Sequence, residues 1–189
     1  MRVVVLGSGG LAREYAMWAQ DAGVSVDAFV NDLDPTKGVR FDGEALFIVG
    51  VGKPENKAAM VGKALDAGWK PHPAIIHPSA VVKSSLPDGV LVAPGCVITC
   101  DVKVGEYSTF NLNTTVGHDT VIGQGCTTNP GVHISGNIRI GDWCEFGTGS
   151  VVRDGITICD NVRIGASGAV VKNITEPGIY VGVPCVRLK

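Results

Sequence analysis

The sequence predicts a small α/β unit over residues 1–76 followed by an all-β parallel β-helix over residues 77–189. Three observations predict it. An apolar position recurs every six residues through the second half, the first half opens as strand, glycine turn and helix, and glycine reaches 26 residues while aromatics stay at 6%. Glycine at nearly twice ordinary usage marks a repeating backbone whose coils lie close together. At 45% hydrophobic and 18% charged, 189 residues hold enough apolar surface for a buried core and too much for a disordered chain.

Residues 2–7, Arg-Val-Val-Val-Leu-Gly, read as a buried strand, and Ser8-Gly9-Gly10 turns into a helix from about Leu11 to Ala22 with Leu11, Tyr15 and Trp18 at helical spacing. A second strand is expected over Val24 to Val30, ending at Asn31-Asp32, and a third over Leu46 to Val51. A helix from Glu55 to Ala67 follows the turn Gly52-Lys53-Pro54, and a last strand lies near Ala74 to Ile76. Gly7-Ser8-Gly9-Gly10-Leu11-Ala12 fits G-x-G-x-x-[GA] at a strand-to-helix turn, with the acid Asp32 25 positions after Gly7. Such a turn offers backbone N–H groups and a helix N-terminus to a phosphate. By itself it is compatible with NAD, a nucleotide sugar or no ligand. Pro71-His72-Pro73 through Leu86 joins the two units, so His72 and His77 read as joint residues, and His77-Pro78-Ser79-Ala80-Val81 reads as an imperfect hexad.

The period of six runs in one register from Leu86 to Ala169, fourteen hexads, with first positions such as Val92, Ile98, Phe110, Val116, Ile134 and Phe146; only Thr128 among them is not apolar. Four residues later comes a small or branched residue, as in Val90, Cys96, Ser108, Thr114, Cys126 and Cys144. The small residue and the next large one alternate as in a strand and face the same side, so the residues between must turn a corner. Three such sides close a coil of 18 residues, and stacked coils pair as parallel strands. Cys96, Cys126 and Cys144 thereby become small inward residues. Cys100, Cys159 and Cys185 lie outside that position, and with no CxxC pair all six read as free thiols.

His118 is the third residue of its hexad, a corner position, so its ring faces away from the interior. One coil further on, the same corner holds Gly136, about 4.8 Å along the axis; another coil gives Asp154, and one coil back gives Cys100. His118 can serve as a general base near neutral pH, and the N–H near Gly136 can meet a developing oxyanion. The register alone favours the reading of His118 as an ordinary exposed corner residue, since the corners of any solenoid are polar. His133 points outward next to Ile134 and suits a surface or subunit contact.

A net charge of -2 from 16 basic and 18 acidic residues, unclustered, lacks the footprint that nucleic-acid binding needs. No apolar run approaches the roughly 20 residues of a membrane span, and Met1-Arg2-Val3 runs straight into a strand, so a cytoplasmic protein is expected.

The order of parts resembles the hexapeptide-repeat sugar acetyltransferases, of the sialic-acid O-acetyltransferase and UDP-amino-sugar N-acetyltransferase type. The residues that carry it are Gly7-Ser8-Gly9-Gly10 with Ala12-Arg13-Glu14, Asn31-Asp32, Val49-Gly50-Val51-Gly52, Ile76-His77-Pro78-Ser79-Ala80, Gly117-His118-Asp119 and Gly182-Val183-Pro184. The resemblance implies a small Rossmann-like nucleotide-binding front unit and a left-handed winding for the β-helix. It implies acetyl transfer from acetyl-CoA, without a metal, to an amino group of a UDP-linked amino sugar, or alternatively to a sugar hydroxyl. On that implication His118 is the base, Asp119 its neighbouring acid and Asn111 lies near the acceptor. Gly136, Thr148, Gly165, Ala166 and Pro184 meet acetyl-CoA, while Gly7, Ser8, Gly9, Asn31, Asp32, Gly52 and Lys53 hold the nucleotide sugar. Relatives of this kind assemble as homotrimers with coenzyme A between subunits. Leu11 stands where UDP-sugar members often have histidine, and the segment from Asp32 to Leu46 is short.

A nicotinamide-dependent oxidoreductase would need a second nucleotide-binding half. A β-helical carbonic anhydrase would need three imidazoles, whereas the hexads hold only His118 and His133. A non-catalytic nucleotide-binding scaffold is the remaining alternative.

Overall fold

The structure, a computed structural model, describes residues 1–30 and 40–188. Its first unit is a parallel sheet of β1 (Arg2–Leu6), β2 (Ala28–Val30), β3 (Ala45–Val49) and β4 (Lys70–Pro71), in the order β2-β1-β3-β4. Helix α1 (Gly10–Asp21) follows β1, and α2 (Pro54–Asp66) follows β3. The two-residue alternation of the strands sorts the core. Val5 and Ile48 pack with Ala12, Tyr15 and Trp18 of α1, whereas Val4, Leu6, Phe47 and Val49 pack with Met60, Val61 and Ala64 of α2.

Two expected strands differ. Val24 commits its N–H to the Ala19 carbonyl at the end of α1, so the ladder beside β1 starts only where Asp27 donates to Val3, and β2 is shorter than Val24 to Val30. The fourth strand is Lys70–Pro71, not Ala74 to Ile76. Pro73 has no N–H with which to extend a ladder, and Ile75–Ile76 instead pair with Leu91–Val92 as the first rung of the β-helix.

The second unit is a parallel β-solenoid of about six turns, built from sheets of eight, six and four strands, here faces one, two and three. Thr109 pairs with Leu91 and with Thr127, one coil of 18 residues to either side. The inward positions fall where the hexads require. Val92, Ile98, Phe110, Val116 and Phe146 are buried, as are Cys96, Ser108, Thr114, Cys126 and Cys144 beside them. The expected first hexad does not form. Ile75 to Leu91 is a step of 16 residues rather than 18, and the shortened side leaves Leu86 half-buried outside any strand. At the other end Gly178–Val181 run parallel to Val162–Ile164 and antiparallel to Val186–Arg187, closing the stack.

The corners have their own residue rule. The fourth residue of the hexad takes positive φ at Asp101, Asn113, Asp119, Asn137 and Asn161, between 57° and 58°, and glycine serves at Gly125, Gly131 and Gly149. Tyr107, Trp143 and Ser167 break the rule; the Trp143 and Tyr107 rings lie over Gly125 and Gly89 of the preceding coil, and Tyr107 also stacks on Phe47 of the first unit at 6.1 Å.

The α/β unit sits on face one. The outward side chains Leu91, Thr109 and Thr127 are each 1% exposed beneath it. Arg163 on the same face reaches Glu55 of α2 at 2.8 Å and Glu145 at 2.7 Å. His77 bonds Asp21 of α1 across the joint at 3.3 Å.

Candidate active site

His118 stands on the edge between faces two and three, exposed, with its Nδ1 2.7 Å from Asp119 Oδ2. An ionised carboxylate only accepts, so the Nδ1 nitrogen donates to it and the neutral ring keeps its lone pair on Nε2. Asp119 reaches the ring because its own backbone sits at φ 57°, the left-handed corner conformation that Asp tolerates. Nε2 faces Gly136 on the next coil: an added Cβ there would lie 2.8 Å from Nε2 and 2.9 Å from Cε1. The corner stack is held by Asn137 N–H on the His118 carbonyl at 2.8 Å and Gly155 N–H on the Gly136 carbonyl at 3.1 Å. Among the described residues no acceptor takes the Gly136 N–H. A base and a free amide donor thus lie side by side on one open edge. Cys100 occupies the same edge one coil earlier, where its carbonyl accepts from Asp119 N–H at 3.4 Å.

The other expected residues of that site lie elsewhere on the chain. Asn111, Thr148, Gly165 and Ala166 line the edge between faces one and two. Asn111 is buried, and its Oδ1 accepts from Leu112 N–H at 2.7 Å. Pro184 lies exposed in the closing tail, where Cys185 N–H bonds the Ala169 carbonyl at 2.8 Å. A single chain therefore divides these residues between the two edges that flank face two. The column pointing outward from face two is Val81, Val97, Thr115, His133, Val151 and Ala169, with Val81 47% and Val151 40% exposed. His133 shares a hydrogen bond with Thr115 Oγ1 at 2.9 Å within it.

A second concavity of about 550 Å³ lies in the first unit, lined by Gly7, Ser8, Gly9, Gly10, Gly50, Gly52, Lys53 and Asn56 among others. It sits where the chain leaves β1 and β3 for helices on opposite faces of the sheet, the switch point at which open parallel sheets hold ligands. The N-termini of α1 and α2 both open on it, with Gly9 and Lys53 as their caps. Gly7 takes φ 105°, and a Cβ there would also press on the Gly50 carbonyl at 3.1 Å. At Gly9 a Cβ would meet nothing within 4 Å, so the protein itself leaves that space clear. Gly10 and Gly50, quoted in the sequence motifs but not among the expected nucleotide-sugar residues, and Asn56, not named there at all, also line the hollow. Gly50 was the detectable one: a glycine directly after an apolar strand signals close backbone approach, here to Val5 and Ala12. Asn31 and Asp32 lie outside the described residues.

Among the described residues no cluster of three metal-ligating side chains occurs, and no helix is long and apolar enough to cross a membrane.

The bacterial transferase hexapeptide (six repeats) family model matches residues 119–154. Perosamine N-acetyltransferase PerB from Caulobacter crescentus, solved with CoA and GDP-perosamine, is 28% identical with a TM-score of 0.88, covering 100% of this chain and 98% of that one. The acetyltransferase domain of PglB from Neisseria gonorrhoeae FA1090, solved with acetyl coenzyme A, is 25% identical with a TM-score of 0.86 over 99% and 98% of the chains. A probable mitochondrial UDP-3-O-acylglucosamine N-acyltransferase 2 from Arabidopsis thaliana is 41% identical over 73 residues, 39% of this chain. The match spans about a quarter (24%) of that curated relative's length. The family model thus matches inside the solenoid, about a fifth of the chain, where the six-residue period runs.

Proposed function

We propose that the chain is an acetyl-CoA-dependent acetyltransferase acting on the amino group of a nucleotide-activated amino sugar, with His118 as general base and direct transfer to the acceptor. The observation that carries this reading is the imidazole Nε2 turned toward a glycine whose N–H has no acceptor among the described residues, beside the Asp119 carboxylate that orients the ring. The amine nitrogen forms its bond to the acetyl carbon as the C–S bond breaks, His118 Nε2 takes the amine proton, and the thiolate then receives it. A positioned base of this kind contributes roughly 10²–10⁴-fold, and the Gly136 N–H adds on the order of 3 kcal/mol where charge develops on the carbonyl oxygen.

The hollow at Gly7, Gly9, Gly52 and Lys53 is the place for the nucleotide diphosphate on this reading, and GDP-perosamine in the PerB structure supports a nucleotide sugar as acceptor. It opens beside face one, whereas His118 stands on the edge between faces two and three, which supports a site shared between copies on this reading. A homotrimer with face two turned to the threefold axis buries Val81, Val97, Val151 and Ala169 of that column together with the hydrogen-bonded Thr115 and His133. It also brings the His118 edge of one copy against the Asn111, Thr148 and Ala166 edge of the next. The left-handed winding, the Rossmann-like front unit and the cytoplasmic setting belong to the same proposal.

The test is release of free thiol from acetyl-CoA across UDP- and GDP-linked amino sugars, other nucleotide sugars and sialic acid. His118→Ala is expected to keep its fold and coenzyme binding and lose most turnover. Wild-type rates in that variant would remove His118 as base, and no release with any acceptor would remove the activity.

A further inference from the structure

Lys57 of α2 is fully buried between the two units, facing the solenoid rather than the hollow. Its ammonium donates to the Tyr107 carbonyl at 3.2 Å, the Cys126 carbonyl at 3.2 Å and Thr109 Oγ1 at 3.1 Å, one acceptor for each of its three N–H bonds. The Thr109 hydroxyl donates to Thr127 Oγ1 at 3.4 Å, and the Thr127 hydroxyl donates to the Gly52 carbonyl at 2.9 Å. Every hydroxyl proton in this chain therefore points the same way, from the ammonium toward the turn that opens α2. In a trans peptide the carbonyl and the following N–H point to opposite sides, so a Gly52 carbonyl held against face one turns the Lys53 N–H away from it, on the side of the hollow. Among the described residues no acceptor takes that N–H.

Resting on the acceptor site proposed above, we infer that Lys57, Thr109 and Thr127 form a positioning relay that fixes the Gly52–Lys53 peptide for the diphosphate of the nucleotide sugar. None of the three touches the hollow, so they act through the backbone. Threonines on face one would be an unfavourable choice for simple packing, because each buried hydroxyl needs its own partner; here each finds one along a single line.

The relay also has a direction that a proton can reverse. A neutral amine keeps two N–H bonds and a lone pair, so Thr109 can donate to Nζ instead of to Thr127, and the Thr109 oxygen then competes with the Gly52 carbonyl for the Thr127 hydroxyl proton. Burial lowers the Lys57 pKa to about 7, within reach of ordinary pH. The charged groups that act on it are Cys126 and Glu145 of the solenoid, both favouring its charge; Tyr107, which offers its carbonyl, and Tyr15 of α1, which stands by Thr109, have phenols that burial pushes up to about 12.

Thr127→Val removes the last donor at nearly constant volume, and Thr127→Ser restores it. Calorimetry with UDP and with GDP should show Thr127→Val weakening whichever nucleotide the wild type binds by about tenfold, the worth of one such hydrogen bond. Thr127→Ser should remain within about twofold. In steady state the loss should fall on the KM for the nucleotide sugar and leave the KM for acetyl-CoA unmoved. Amide exchange over residues 50–54 in ligand-free protein should speed up in Thr127→Val and not in Thr127→Ser. Lys57→Met should abolish the decline in nucleotide-sugar affinity that the wild type shows above pH 7. Valine and serine variants that behave alike in binding and exchange overturn the relay. If the wild type binds neither nucleotide, the acceptor site falls, and the exchange comparison still decides whether the relay holds the turn.

Discussion

Replacing Gly136 by alanine places a methyl group 2.8 Å from His118 Nε2, 2.9 Å from Cε1 and 3.1 Å from Cδ2. Ordinary contact between such atoms is about 3.5 Å, so the imidazole has to retreat by roughly 0.7 Å. It can do so, because the side chain is 57% exposed and held by one hydrogen bond to Asp119. The backbone at Gly136 has no positive φ, which makes alanine conformationally acceptable there. Stability should therefore change by no more than about 0.5 kcal/mol. Catalysis should not be spared: a base displaced by a sizeable fraction of an ångström costs up to about 10² in rate. The assay pairs urea denaturation with thiol release from acetyl-CoA at saturating acceptor, and the expected result is an unchanged midpoint with kcat lowered 10- to 100-fold. A variant whose kcat stays within threefold of wild type, with a crystal structure showing the ring displaced, would refute the link between ring position and turnover.

Gly147→Ala is the structural counterpart: its Cβ would lie 2.5 Å from Ala166 N and 2.7 Å from Gly165 C, backbone atoms that cannot swing aside, so a loss of about 3 kcal/mol is expected by urea denaturation. Lys57 gives a pH effect of definite sign. The unfolded lysine keeps its proton to its ordinary value of 10.5 while the buried one releases it near 7, so between those values the unfolded chain binds more protons and stability rises with pH. Between pH 7 and 8.5 this contributes about 2 kcal/mol, and Lys57→Met should flatten that rise. If the site is shared between copies, refolding an equimolar mixture of the inactive variants His118→Ala and Asn111→Ala should restore about a quarter of wild-type activity, because one interface in four unites an intact edge from each. No recovery in mixed trimers would show that each chain works alone.

Much of this molecule was legible as a pattern of six. The inward residues from Val92 to Ile164, the burial of Cys96, Cys126 and Cys144, and the vertical alignment of His118 with Gly136 all follow from a fixed step of 18 residues between coils. A repeat makes sequence distance a direct measure of spatial distance. Where the step shortens to 16, at Ile75 and Leu91, the ruler misplaced Leu86 and the start of the solenoid. The glycine turn at Gly7 to Gly10 was legible for a different reason, since a positive φ and a crowded Cβ admit little else at Gly7.

The sequence by itself determined the six-residue register of the solenoid, the corner occupied by His118 and the strand-to-helix turn, because each depends on local conformation or a short regular period. Only the tertiary structure decided that the α/β unit covers face one, that Asn111 and His118 stand on separate edges, and that Lys57 reaches Thr109 across 52 residues of chain. Those facts depend on how two surfaces dock, and docking is set by complementary shape and by pairing of buried polar groups, neither of which has a period to read.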